Sequence, residues 1–93
     1  MKELDDYDVL LCLIYHLHPF LVMDVAKEIH IKPEELGFIL SVFKDHPVIL
    51  KHKEEALKND NYIRDMVIGI FEGTIYKEAI LSLFLLNESP NRT

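Results

Sequence analysis

The stretch AKEIHIKPEELGFILSVFKDHPVI, Ala26 to Ile49, constrains the fold more than any other part of the chain. Its apolar positions Ala26, Ile29, Ile31, Leu36, Leu40 and Phe43 recur so that a short helix, a tight turn and a longer helix share one core. The first helix is expected over Met23 to His30, with Asp24 in its opening turn. Pro33 starts the second. It gives up no N–H that a helix would use there, and Glu34 and Glu35 place their carboxylates against the positive end of the helix dipole.

This arrangement resembles the winged-helix and helix-turn-helix superfamily, over about a quarter of the chain. The resemblance implies a second helix that enters the DNA major groove and a transcriptional regulator as the usual occupation. Two residues depart from it: His30 stands where many members carry glycine in the turn, and Pro47 where a glycine often precedes the strand. A histidine adopts positive φ only at a cost. In the winged form, Val48, Ile49 and Leu50 become the first strand of a hairpin, and Lys51 to Asn61 is either a wing or a short helix. Ala56 and Leu57 among Glu and Lys favour the helix.

The chemistry of the second helix opposes DNA. With Leu36, Leu40 and Phe43 inward, the outward stripe is Glu34, Phe38, Ser41 and Asp45, flanked by Glu35 and Val42. No Lys or Arg lies on it. Affinity for duplex DNA comes largely from cations that neutralise phosphates, and the front of this helix carries carboxylates instead. An outward Phe38 would bury roughly 1.5–3 kcal/mol worth of apolar surface in a partner's pocket. Glu34, Glu35, Phe38, Ser41, Val42 and Asp45 are therefore the expected partner-binding residues, with another protein as the partner. Under the DNA reading, Lys44, Lys51, His52, Lys53 and Lys58 are the expected contacts to the backbone, partly cancelled by Asp45, Glu54 and Glu55.

Around this core the chain reads as helical. Asp5, Asp6 and Asp8 open a first helix, and the run Val9 to Leu17 is apolar on both faces, which places it between the helix-turn-helix and a second apolar surface. Pro19 ends that helix, and Phe20, Leu21 and Val22 are expected as an extended or loop link. Tyr62, Ile63, Met66, Val67, Ile70 and Phe71 recur at helical spacing, Gly73 is the expected C-cap, and Thr74 the N-cap of a last helix carrying Ile75 to Phe84. Leu81, Leu85 and Leu86 add apolar groups on that helix's other side. Such surplus points to a homodimer through the first and last helices. The fold class expected is all-α, or mainly α with a minimal wing: a helix-turn-helix core, a buried N-terminal helix and two apolar C-terminal helices. One domain spans 1–87, followed by a disordered polar tail, 88–93. Six helices in about ninety residues also suit a Greek-key bundle of the death-fold type.

Composition narrows the function classes. A net charge of −6 offers no global attraction to nucleic acid or anionic membrane. No apolar run approaches the roughly 18 residues of a membrane span. The single cysteine, Cys12, excludes an internal disulfide framework and fits a cytoplasmic location; an intersubunit disulfide is a minor alternative. The sequons at Asn87 and Asn91 then lack a secretory context. Cys12 and His16 lie one helical turn apart, as a thiol–imidazole pair or half a metal site would, but no further ligands complete them, and a structural role is the expectation. No glycine loop for phosphate is present. The chain is expected to be no enzyme and to need no cofactor or metal.

Overall fold

The computed structural model describes residues 3–88, which form six helices: α1 Asp6–Leu17, α2 Pro19–Glu28, α3 Pro33–Phe43, α4 Pro47–Lys58, α5 Tyr62–Phe71 and α6 Tyr76–Glu88. Among the described residues there is no strand, so the fold is all-α. Residues 89–93 of the expected polar tail lie outside the described residues; the backbone of Glu88, its first residue, is still helical.

Four of the other five helices pack around α1. A capping box starts this helix: the Asp8 N–H donates to Asp5 Oδ1 at 2.9 Å, and the Asp5 N–H donates to Asp8 Oδ2 at 3.2 Å. Leu10, Leu11, Cys12, Leu13 and Ile14 then have no solvent exposure, because α2, α3, α4 and α5 all pack on α1. An apolar stripe all round a helix needs cover on every side, and four neighbours supply it. The outer helix α6 rests on α2 and α5.

This placement corrects part of the expected dimer face. The apolar surplus of α1 is largely absorbed within its own chain, so most of the first helix is interior, with Tyr7 and Tyr15 exposed and Leu17 partly so at its end. Cys12 is interior for the same reason and does not reach the surface where an intersubunit disulfide would form.

Three of the helices, α2, α3 and α4, begin on proline: Pro19, Pro33 and Pro47. Two expectations fail here. Phe20 to Val22 is the first turn of α2 and no link, since Pro19 both stops α1 and presets φ for the next helix, and burial of Leu21 and Val22 holds that turn in place. Likewise Val48 to Leu50 is the first turn of α4 and no strand. The Val48 N–H donates to His46 Nδ1 at 3.1 Å, so the histidine side chain caps the helix, and Ile49 is wholly buried. The wing hairpin is therefore not formed; the residues expected in it run as the helix Pro47–Lys58.

The α2–α3 turn closes by a Schellman motif. Ile31 N–H donates to Ala26 O at 2.8 Å and His30 N–H to Lys27 O at 3.1 Å, with His30 at φ +64°. His30 takes the left-handed conformation that glycine would take freely, at a cost of roughly 1–2 kcal/mol. At the α5–α6 turn Gly73 has φ +80°, Thr74 Oγ1 donates to Phe71 O at 2.7 Å, and the Tyr76 N–H donates to Thr74 Oγ1 at 3.2 Å. Each stands one position from the cap expected of it: the C-cap of α5 is Glu72, with Gly73 following it, and Thr74 lies two residues before the start of α6 and caps it from there.

Candidate functional site

The exposed side of α3 is built by its two proline-flanked ends and by what the helix buries. Leu36, Ile39 and Phe43 are the buried positions, with Leu40 partly covered beside them; Ile39 takes the inward place expected of Leu40 because α3 lies against α1 and α2 together. At the far end, His16 Nε2 lies 2.7 Å from Lys44 O, which ties the last turn of α3 to α1. A carbonyl only accepts, so Nε2 carries the proton.

Glu34, Glu35, Phe38, Ser41 and Val42 are exposed positions of α3; Asp45 is exposed too, but in the turn after the helix, which ends at Phe43 before the expected stripe reaches it. Phe38 is 53% exposed and Val42 46%, one helical turn apart. Ser41 Oγ donates to Phe38 O at 2.9 Å, so its hydroxyl is turned onto its own helix. Lys44 Nζ donates to Asp45 Oδ2 at 2.9 Å. That bond and the charge of Lys44 hold the Asp45 carboxyl below its ordinary range, and Asp45 in turn raises the Lys44 ammonium. Lys44 is thus paired within its own turn, while Lys32 stands exposed at the N-cap of α3. What remains is apolar at the centre and anionic at the end where the helix dipole is positive.

The residues expected to touch a DNA backbone are not gathered on a loop. Lys51, His52, Lys53 and Lys58 run along α4, with Lys44 apart at the end of α3. His52 Nδ1 is 2.8 Å from the hydroxyl of Tyr62, which commits that imidazole to the α4–α5 packing. Glu54 and Glu55 sit three and four positions from Lys51, and Glu54 four from Lys58, the spacing at which helical charges offset each other.

Cys12 and His16 do not form a reactive pair. Burial pushes the Cys12 thiol up to about 12, helped by the charge of Asp8, so the thiolate needed for nucleophilic or ligand chemistry is strongly disfavoured. His16 is engaged with Lys44 instead. Among the described residues no group of three or more His, Cys, Asp or Glu is placed to hold a metal ion. No helix there is long and apolar enough to cross a membrane.

Sequence reasoning missed a second surface. A groove of about 610 Å³ opens where the ends of α1, α4 and α6 meet the start of α5. Leu17, Leu57, Ile63, Leu81, Phe84 and Leu85 line it, with Asp60 and Arg64 the formally charged lining residues among those described. Leu57 is 67% exposed and Leu85 65%, the kind of apolar exposure that a packed helix normally hides. The one sequence signal for it was the surplus of leucine on the last helix. Another hollow, about 540 Å³, lies between α2 and α6 beside His30 and Tyr76, with Asp24, Lys27 and Glu28 on its wall.

No protein-family model, curated protein or solved structure matches the chain.

Proposed function

We propose that this chain is a non-enzymatic interaction module whose outer α3 face engages another protein, and that it works as a homodimer through the apolar end of α6. The observation that carries the first part is the pairing of exposed Phe38 and Val42 with Glu34 and Glu35 on α3, with Asp45 in the turn after it bonded to Lys44. An aromatic side chain at the centre of a patch, ringed by charge, is the arrangement of a binding anchor. The partner that fits it offers an apolar pocket flanked by cationic side chains. The turn at His30, closing α2 onto α3, supports reading the pair as a helix-turn-helix put to this use.

A second reading is a DNA-binding transcriptional regulator of the helix-turn-helix kind. Lys51 and Lys58, exposed two turns apart on α4, favour it as backbone contacts. Fluorescence anisotropy with a random-sequence duplex at low salt separates the two. The protein reading expects no salt-sensitive retention; tight binding that weakens steeply with salt would replace it by the DNA reading. A capture experiment from the native host completes the test: the specific partner should be retained by the wild type and lost from Phe38→Ala. A partner held equally by both would remove the α3 face from the reading.

A further inference from the structure

We propose that the groove at the α1, α4, α5 and α6 junction is the surface on which a second copy of this chain docks. The inference rests on the dimeric reading above and gives it an address. Three observations favour a second copy as the occupant.

First, the surface offers both halves of an interface. It is concave and apolar over Ile63, Leu81 and Phe84, and it also presents Leu57 and Leu85, each about two-thirds exposed, as side chains able to fill such a hollow. A twofold contact needs one patch to carry both shapes. Second, the charges are self-complementary. Asp60 and Arg64 are exposed, of opposite sign and four positions apart at the start of α5, and among the described residues neither has an ion-pair partner in its own chain. An antiparallel twofold sets Arg64 of each copy against Asp60 of the other, two pairs from one pair of residues. Third, the rest of the molecule repels itself. Each chain carries −6, whereas the described lining of this groove sums to zero, so here two copies approach with less of the general repulsion. The groove shares no residue with the α3 face, which leaves that face open in the dimer.

Sedimentation equilibrium of the full chain over a micromolar range decides the matter. The wild type should dimerise, and Leu85→Glu should raise the dimer dissociation constant about tenfold or more while the helical circular dichroism is unchanged. Asp60→Arg and Arg64→Asp should each weaken the dimer about tenfold, and the double reversal should restore it to within about threefold of the wild type. Both charged positions are exposed, so the reversals still decide the question if Leu85→Glu fails to fold. A chain that stays monomeric would overturn the proposal and the dimeric reading together, without touching the α3 face. A dimer indifferent to Leu85→Glu and to the reversals would overturn the groove alone.

Discussion

His16 Nε2 stands 2.7 Å from the backbone carbonyl of Lys44, joining residues 28 positions apart and pinning the end of α3 to the central helix. The carbonyl belongs to the helix terminus, where no intrahelical donor reaches it. Replacing His16 by Ala leaves that acceptor half-buried and unpaired. The expected loss is about 1–2 kcal/mol, read as a lower urea midpoint with an unchanged m-value.

Phe38 and Phe43 lie on one helix and should behave oppositely. Phe43 is buried in the core, and truncating it to Ala should cost about 3–5 kcal/mol. Phe38→Ala should change stability by no more than about 0.5 kcal/mol, since the ring is 53% exposed. Thermal unfolding of the two variants side by side checks whether the aromatic face of α3 is spare for binding.

The left-handed His30 predicts a gain. His30→Gly removes the Cβ that φ +64° crowds and should raise stability by about 1 kcal/mol, less what the contact with Tyr76 supplied. His30→Val, β-branched at the same φ, should lower it by more than that. Melting temperatures of the pair give the sign directly.

Cys12 gives the protein an alkaline weakness. In the folded chain the thiol is raised to about 12, while the unfolded thiol keeps its ordinary value near 9.0. Below about pH 9 both states hold the proton and the contribution is complete; between there and pH 12 the unfolded state loses it first, so stability falls as pH rises. In Cys12→Ala this slope should be smaller than in the wild type, over and above what lysines and tyrosines contribute to both. The native thiol should also resist alkylation at pH 8 and react once urea unfolds the chain.

The helices most legible in the sequence were those whose signals are local. Apolar spacing over Tyr62 to Phe71, the Gly73 and Thr74 pair, and Pro33 with its two glutamates each name an element from a few neighbouring residues. The sandwiching of α1 was legible too, because a run apolar on both faces has to be covered twice. The misreadings fell at prolines. Val48-Ile49-Leu50 carries no period that separates a strand from a buried helical turn, and the deciding group, the imidazole of His46, is an uncommon cap. Pro19 is a start as well as a stop, and local pattern marks only the stop. The outward residues of α3 followed from simple helical geometry. The groove did not: Leu17, Leu57, Ile63 and Leu85 come from four separate helices, and only the packed fold brings them to one place.

The position of α1 sets the order in which the chain can become stable. In the order of synthesis α1 precedes all four helices that cover it, and its last cover, α5, is complete only about fifty residues after it. Until then an oily rod must wait without its sleeve, exposed to whatever holdase is nearby. Once α5 closes over it, α1 cannot leave without opening contacts to all four of its neighbours, so unfolding should be all-or-none and premature termination before Phe71 should yield aggregate.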